Sequence, residues 1–594
     1  MKRNGKLMKT VSGRLSLCPF LTVLIKFLLF DLIWCGYTTF TPFSCWQTYV
    51  TAITMSMALT IPYVLIRKAA AAIPVWVLLD IWFICNLLYF RTYLSAIPLS
   101  SYFLAGNLSD FMPSVWASFR WVDLLFPLTT IIGVTAMLTK KLRQKMTIPF
   151  SKRVFFSVFL LLCVLLGAAV YSRGGFRQEY GQLQFSAHDY ASGPALYTLF
   201  GTVYYDYLNG YQPLTESQKQ EINDWIAHTP ELSPIDSLAT RDNCIVIIVE
   251  SFESWVLNLS VENQEITPNL NRLLKEPNTL YAPHVYTQVN GGRSIDAQLL
   301  FLAGMLPLKT GCYSSNFPTN TYHALPKALK EFKNTRNYLL TVDKTKTWNQ
   351  GTVAHGFGID TIISYPDFRM TETFGNRTRL GDRAFFTQCI EKMKNGEIWR
   401  PGENAFIQMV TYSGHSPFKM PEELKSVHFS DRIPEMMADY MSVAHYTDEG
   451  IGKFIEYLKS RPEYAHTMIV ITGDHEGLAD NRKDLCATAA GRGIVSDKEF
   501  TPFIVLNSPV PMHYTGVMGQ VDIYPTMLNL LGLENYSWKG IGRSILDPGK
   551  PQVAISPRTY HIEGDTTSVS EYEMRRLRLS PAISDLLIRF NLLQ

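Results

Sequence analysis

Cys244-Ile245-Val246-Ile247-Ile248-Val249-Glu250 and Met468-Ile469-Val470-Ile471-Thr472-Gly473-Asp474-His475 decide the reading of this chain. Each is a short, mostly apolar and β-branched run that stops at an acid. A strand apolar at nearly every position, not at alternate ones, is buried on both faces, which is the pattern of a mostly parallel sheet covered by helices. The same texture predicts strands at Tyr338–Val342, Ala405–Val410 and Phe503–Leu506. Helical periodicity falls between them at Thr267–Lys275, Ile295–Met305, Asp382–Lys394, Pro434–Ser460 and Asp522–Leu531. Residues 241–594 therefore read as one α/β domain large enough for its own core. Cys244 reads as strand core, while spacing leaves open whether Cys312, Cys389 or Cys486 form disulfides.

Upstream of this domain the composition changes. The chain has 594 residues with 55 Lys plus Arg and 51 Asp plus Glu. Residues 1–171 hold 16 of the bases and four of the acids, with no glutamate and no histidine. Such asymmetry excludes a single soluble domain, and nine cysteines in this length exclude a disulfide-dense scaffold. Collagen, coiled coil and disorder are excluded by the same composition, and the overall basic charge is no sign of nucleic acid.

Crossing about 30 Å of hydrocarbon takes roughly 20 apolar residues in helical form. Five stretches qualify, near 19–40, 46–66, 73–95, 121–139 and 154–171. Bases cluster before the first, after the second (Arg67, Lys68) and after the fourth (Lys140 to Arg153), whereas the opposite loops offer only Arg91 and Arg120. The positive-inside rule then predicts a cytosolic N-terminus and an extracytoplasmic remainder. Four further spans argue against a cleaved signal peptide. Lys26, Asp31 and Asp80 lie inside spans and read as structural, Lys26 pairing with Asp31 or lying near an interface. Without an internal repeat the segment reads as an anchor, not a transporter. The expected division is residues 1–172 in the membrane, 173–240 as juxtamembrane linker helices and 241–594 as the external domain. In the linker, the aromatic runs at 196–200 and 204–207 read as interfacial, followed by a polar helix near 215–227.

Ligands of open α/β sheets collect at the carboxyl ends of strands. Glu250 and Asp474 stand there, and a carboxylate directly after a buried strand is costly unless paired. Two carboxylates plus the His475 imidazole suit a divalent cation. Between them in sequence, Asn290-Gly291-Gly292-Arg293-Ser294-Ile295-Asp296 leads into an apolar helix. Its glycines allow close backbone approach, and the helix start favours an anion such as a phosphoryl group. Alone, Ser294 reads as an N-cap. Glu250, Ser294, Asp474 and His475 taken as a set read as a metal site with a nucleophile.

With Val-Glu-Ser-Phe at 249–252, Ile-Thr-Pro-Asn-Leu at 266–270, Gly-Arg-Ser-Ile-Asp-Ala at 292–297, Thr-Tyr-His-Ala-Leu-Pro at 321–326, Thr-Tyr-Ser-Gly-His-Ser-Pro-Phe at 411–418 and Gly-Asp-His at 473–475, the chain resembles the lipoteichoic acid synthase family. That family belongs to the sulfatase branch of the alkaline phosphatase superfamily, and the resemblance implies its fold for 241–594. It implies one divalent ion, manganese first and magnesium or zinc as alternatives, held by Glu250, Ser294, Asp474 and His475. It also implies Ser294 as nucleophile where threonine is usual. His415 would be a catalytic and head-group residue, and Asp343, Trp348 and Arg293 further substrate contacts. Gln350 stands where the family commonly has arginine, and cannot grip a phosphate bidentately as arginine does.

The implied activity is transfer of a phosphoglycerol head group from a membrane phospholipid, phosphatidylglycerol by resemblance, through a phosphoserine-type intermediate to a cell-envelope glycan or polymer. Alternatives are phosphoethanolamine transfer, or hydrolysis of a sulfuric or phosphoric ester. Formylglycine chemistry is disfavoured because Ser294 is followed by Ile-Asp-Ala, not by x-Pro-x-Arg. A non-catalytic glycan- or lipid-binding receptor is the third reading, weakened because no ligand or nucleophile is missing. No nucleic-acid partner is expected, and the expected location is the cell membrane, multi-pass.

Overall fold

The computed structural model describes residues 15–38, 46–93, 118–148, 151–172, 213–232 and 241–593, except 310, 346, 375–378 and 480, with isolated positions between 96 and 235. Two compact units result, 1–99 with 118–212 and 213–594 with 100–117. The aromatic runs at 196–200 and 204–207 lie outside the described residues.

In the first unit the long helices are α1 (Cys18–Thr38), α2 (Trp46–Ile66), α3 (Ile73–Tyr93), α4 (Leu125–Leu138) and α5 (Lys152–Ser172). Among the described residues, five helical segments are long and apolar enough to cross a membrane. Aromatic packing joins α1, α3 and α4: Phe30 stacks on Phe83 at 4.6 Å, and Phe83 meets Phe126 at 5.6 Å. The charge pairing differs from the sequence expectation. Lys26 pairs with Asp80 of α3, not with Asp31, and Phe126 O, Thr129 Oγ1 and Thr130 Oγ1 also lie 2.7–2.9 Å from its ammonium. Asp31 is buried. Two charges 54 positions apart meet because three helices pack, and pairing with full hydrogen bonding is what makes an intramembrane lysine tolerable. Arg91 and Asp123, also buried, form a bidentate pair at 2.7 and 2.8 Å.

The second unit is built on a nine-stranded sheet. Its strands are β1 (Asn243–Val249), β2 (Leu280–Tyr286), β3 (Arg336–Thr341), β4 (Thr361–Ile363), β5 (Ala405–Val410), β6 (Thr467–Gly473), β7 (Phe500–Leu506), β8 (Met512–His513) and β9 (Met518–Gly519). The order is β8-β2-β7-β6-β1-β5-β3-β4, with β9 also on β2. From β6 through β4 every neighbour is parallel, whereas β7 runs antiparallel to both β6 and β2. Alternation of β1 side chains explains its continuous apolarity: Cys244, Val246 and Ile248 enter the core shared with helix α7 (Ser294–Ala303). Ile245, Ile247 and Val249 enter the opposite core, with helices α9 (Asp382–Lys394) and α10 (Glu435–Lys459). Helix α8 (Gln350–Phe357) lies between these in sequence. At about 1.5–3 kcal/mol per fully buried aliphatic side chain, neither face could be left wet.

Register places the site. Gly473 of β6 pairs with Val249 of β1, so Glu250 and Asp474 emerge side by side. Val410 of β5 pairs with Ile248 and with Thr341 of β3, bringing the loops that carry His415 and Asp343 to the same sheet edge. The polar helix expected near 215–227 is α6 (Glu216–Ala227), started by a Thr215/Gln218 capping box. Its Trp225 joins the α7-side core and lies 3.8 Å from the Arg576 guanidinium of the C-terminal helix α11 (Glu571–Arg589).

Candidate active site

Backbone shape comes first at this site. Asp296, fully buried, accepts from the N–H groups of Asn290 and Gly292 at 3.0 and 2.9 Å and so bends the glycine turn back onto the first turn of α7. A Cβ at Gly292 would lie 2.3 Å from the Asp296 carboxylate, so only glycine fits. Arg293 is strained, with φ 48° and ψ −117°, and hands the chain to Ser294 at the first helical position. Burial pushes the Asp296 carboxyl up to about 7, against the pull of its backbone donors.

On the sheet side, the Glu250 N–H donates to Thr411 Oγ1 at 3.0 Å, and a Cβ on Gly414 would lie 2.1 Å from Glu250 O. Both lock the His415 loop against the end of β1. Asp474 Oδ1 accepts from the Ser251 and His475 N–H groups at 2.6 and 2.7 Å, which fixes the carboxylate facing Glu250.

Four of the expected residues come into direct contact. Ser294 Oγ donates to Glu250 Oε2 at 3.0 Å and lies 3.3 Å from His475 Nε2. His475 Nε2 is 3.5 Å from both Glu250 Oε1 and Asp474 Oδ2. Ligand atoms of Glu250, Asp474 and His475 all lie within 4.8 Å of one another, a group that could hold a metal ion. Asp474 Oδ2 is buried without a hydrogen-bond partner among the described residues, an orphaned acceptor that a cation would satisfy. Two carboxylates, one imidazole and one hydroxyl fit a divalent ion. Burial, then the Glu250 charge, pushes Asp474 up to about 7. Burial also raises Glu250, opposed by hydrogen bonds from the Ser251 and Ser294 hydroxyls. Burial and the Arg293 guanidinium pull His475 down, which keeps its ring neutral and able to ligate.

The other expected residues divide. Asp343 accepts from Arg379 Nε at 2.6 Å. That guanidinium lies 5.5 Å from the Tyr412 ring, and Tyr412 stacks on His415 at 5.2 Å. His415, pulled down mainly by burial, feels the charges of Asp343, Asp474 and Arg379, which places all of them in one electrostatic neighbourhood. Trp348 sits partly buried against the α7-side core, with φ 52°. Gln350 is buried, and its amide lies 3.4 Å from Gln298 Oε1 of α7. Arg293, expected among the substrate contacts, engages Glu476 with Nη1 and the Glu476 carbonyl with Nη2 at 2.8 Å.

Sequence reasoning missed the buried acids that hold the loops. Asp382, at the start of α9, accepts from the Tyr412 and Ser413 N–H groups at 2.9 and 3.0 Å and from Thr447 Oγ1 at 2.7 Å, shaping the His415 loop. Glu253, fully buried, accepts from Gly477 N–H at 2.7 Å and Arg482 Nη2 at 2.7 Å. Both follow a strand end or a glycine, the one signal that could have singled them out. Cys389 is core, and among the described residues neither it nor Cys486 forms a disulfide; Cys312 Sγ lies 3.1 Å from Ser314 Oγ.

The sheet, the strand-end acids and the glycine turn define the class, and comparison with known proteins agrees: residues 242–533 match the Sulfatase family. Residues 1–221 match the Lipoteichoic acid synthase N-terminal domain. The chain is 26% identical over 502 residues to the lipoteichoic acid synthase-like YvgJ of Bacillus subtilis, covering 80% of this chain and 78% of that one. It is 25% identical over 492 residues to lipoteichoic acid synthase of Staphylococcus aureus, covering 79% and 73%. Among solved structures, the lipoteichoic acid synthase LtaP of Listeria monocytogenes superposes with a TM-score of 0.51 at 20% identity, over 62% of this chain and 98% of that one, a likeness of fold. The protein is thus a membrane-bound enzyme with a sulfatase-type domain. In both matched segments, and over most of its length, it is similar to lipoteichoic acid synthases.

Proposed function

We propose that this enzyme transfers a phosphoglycerol group from phosphatidylglycerol to a hydroxyl of a cell-envelope glycan or polymer, through a covalent phosphoglycerol-serine intermediate at Ser294. The observation that carries the reading is the position of Ser294 Oγ, which donates to Glu250 Oε2 at 3.0 Å and lies 3.3 Å from His475 Nε2. Two relatives named as lipoteichoic acid synthase or synthase-like support the reaction class. The division into an anchor (1–172), a linker (173–240) and a catalytic domain (241–594), with the last outside the cell, belongs to the same proposal. An enzyme whose donor is a bilayer lipid gains from being tethered beside it.

Glu250, Asp474, His475 and Ser294 would hold one divalent ion, manganese first. When bound, such an ion offsets negative charge on the phosphoryl oxygens and lowers the cost of ionising a hydroxyl. The chain's own residues do the rest. Ser294 Oγ, its proton released to solvent when the site is loaded, attacks phosphorus, and the bond from phosphorus to the diacylglycerol oxygen breaks. His415, which takes up a proton from solvent when the anionic donor binds, gives that proton to the leaving oxygen, so diacylglycerol leaves neutral. The acceptor hydroxyl then loses its proton to His415 and attacks phosphorus, and Ser294 Oγ departs as the alkoxide that began the cycle. Asp343 and Arg379 would orient the head group beside His415.

Ser294→Ala tests this directly. The variant should bind cation yet release no diacylglycerol from labelled phosphatidylglycerol; retained release ends the nucleophile assignment. Labelled phosphatidylethanolamine run in parallel separates the two head groups.

A further inference from the structure

Arg293 and Glu476 are the immediate neighbours of two of the four site residues, and they are bonded to each other. The Glu476 side chain is buried and that of Arg293 largely so, with exposures of 2% and 12%. Glu476 O lies 2.8 Å from His475 Nδ1 and 2.8 Å from Arg293 Nη2. Arg293 Nη2 also lies 3.0 Å from His475 Nδ1. Guanidinium can only donate, so that last contact would require a bare Nδ1, whereas the carbonyl requires Nδ1–H. A ring that offers Nε2 to a cation must carry its proton on Nδ1. The carbonyl of Glu476 then takes both donors, Nδ1–H and Nη2–H. On the other arm, the Glu476 carboxylate pins the side chain of a residue whose backbone is strained and which sets where Ser294 begins its helix.

We infer that Glu476 is a positioning residue: through Arg293 its carboxylate fixes Ser294 Oγ relative to His475 Nε2, and thereby sets the cation affinity of the site. This rests on the metal site proposed above. Residues that orient metal ligands typically contribute 10- to 100-fold in affinity. A rival account is purely electrostatic, in which Glu476 only neutralises the Arg293 charge beside the cation.

The test is Mn2+ binding by calorimetry on the full chain in detergent, with metal-free melting as the folding control. Glu476→Gln should weaken Mn2+ by at least about tenfold. The double variant Arg293→Met with Glu476→Gln restores charge balance but not the tether. Positioning predicts that it stays within a few-fold of Glu476→Gln. Recovery of wild-type affinity in the double variant overturns the inference, as does unchanged affinity in Glu476→Gln. Should either fail to fold, Arg293→Lys decides: it keeps the charge and loses the second donor, so several-fold weaker Mn2+ is expected and wild-type affinity overturns the inference. If the wild-type chain binds no Mn2+, the metal reading itself fails, an outcome separate from the others.

Discussion

Lowering the pH should empty the proposed metal site well before it unfolds the protein. Asp474 sits between Glu250 and His475 with its Oδ2 unsatisfied, and burial followed by the Glu250 charge pushes its carboxyl up to about 7. Only the carboxylate ligates a cation. For an acid with that midpoint, the ionised fraction falls from about nine tenths at about pH 8 to about one tenth at about pH 6. Asp474 alone therefore costs about tenfold in Mn2+ affinity across the interval, and Glu250, also raised by burial, steepens the fall. In the metal-free protein the sign reverses. A carboxyl raised in the folded state contributes stability at pH below its ordinary value near 3.8, and that contribution is lost as pH climbs through about 7. Metal-free protein should thus melt higher at about pH 6 than at about pH 8 as far as this group is concerned, while metal-loaded protein shows the opposite trend. Calorimetric titration with Mn2+ at several pH values is the assay. A dissociation constant flat across that range would refute the reasoning.

Two further perturbations follow from buried contacts. Lys26→Met strands Asp80 among apolar helices and should cost about 3–5 kcal/mol in the membrane unit, read as a lower melting temperature in detergent; adding Asp80→Leu should recover most of it, and no loss in the single variant contradicts the pairing. Asp382→Ala removes the acceptor of the Tyr412 and Ser413 N–H groups, costing about 1–3 kcal/mol for each one left unsatisfied. Head-group release should fall with it while Mn2+ affinity holds, because the displaced loop carries His415 and not a proposed metal ligand; unimpaired release would show that the loop geometry does not matter.

Legibility followed the physics of each element. Strands buried on both faces announce themselves by unbroken apolarity, so Ala405–Val410 is read to the residue and β1 and β6 to within one. Strand β2, Leu280–Tyr286, is invisible to that rule because it contains Pro283 and His284. The structure accommodates them at a register shift opposite Thr501/Phe503, and in the gap between β8, which pairs with Leu280 and Tyr281, and β9, which pairs with Val285 and Tyr286. Nothing in Phe500–Leu506 reveals that it runs antiparallel, since direction is set by the connection and not by side-chain texture. Helix α8 is masked by Gly351, Gly356 and two left-handed residues at its start, Trp348 and Asn349.

At the site, residues that follow apolar strands or glycine turns stood out, and Glu250, Ser294, Asp474 and His475 meet. The partners that hold them did not stand out, because Glu476 and Asp382 look like ordinary surface charges until packing buries them. The Lys26 error is of this kind: Asp31 is near in sequence, but Asp80 is near in space.

Covalent capture is the most direct measurement of the central claim. Full-length protein in detergent, loaded with Mn2+ and given phosphatidylglycerol without acceptor, should carry a phosphoglycerol adduct on the peptide containing Ser294, seen by mass spectrometry, and Ser294→Ala should carry none. An adduct on another residue, or diacylglycerol release undiminished in Ser294→Ala, would contradict the account.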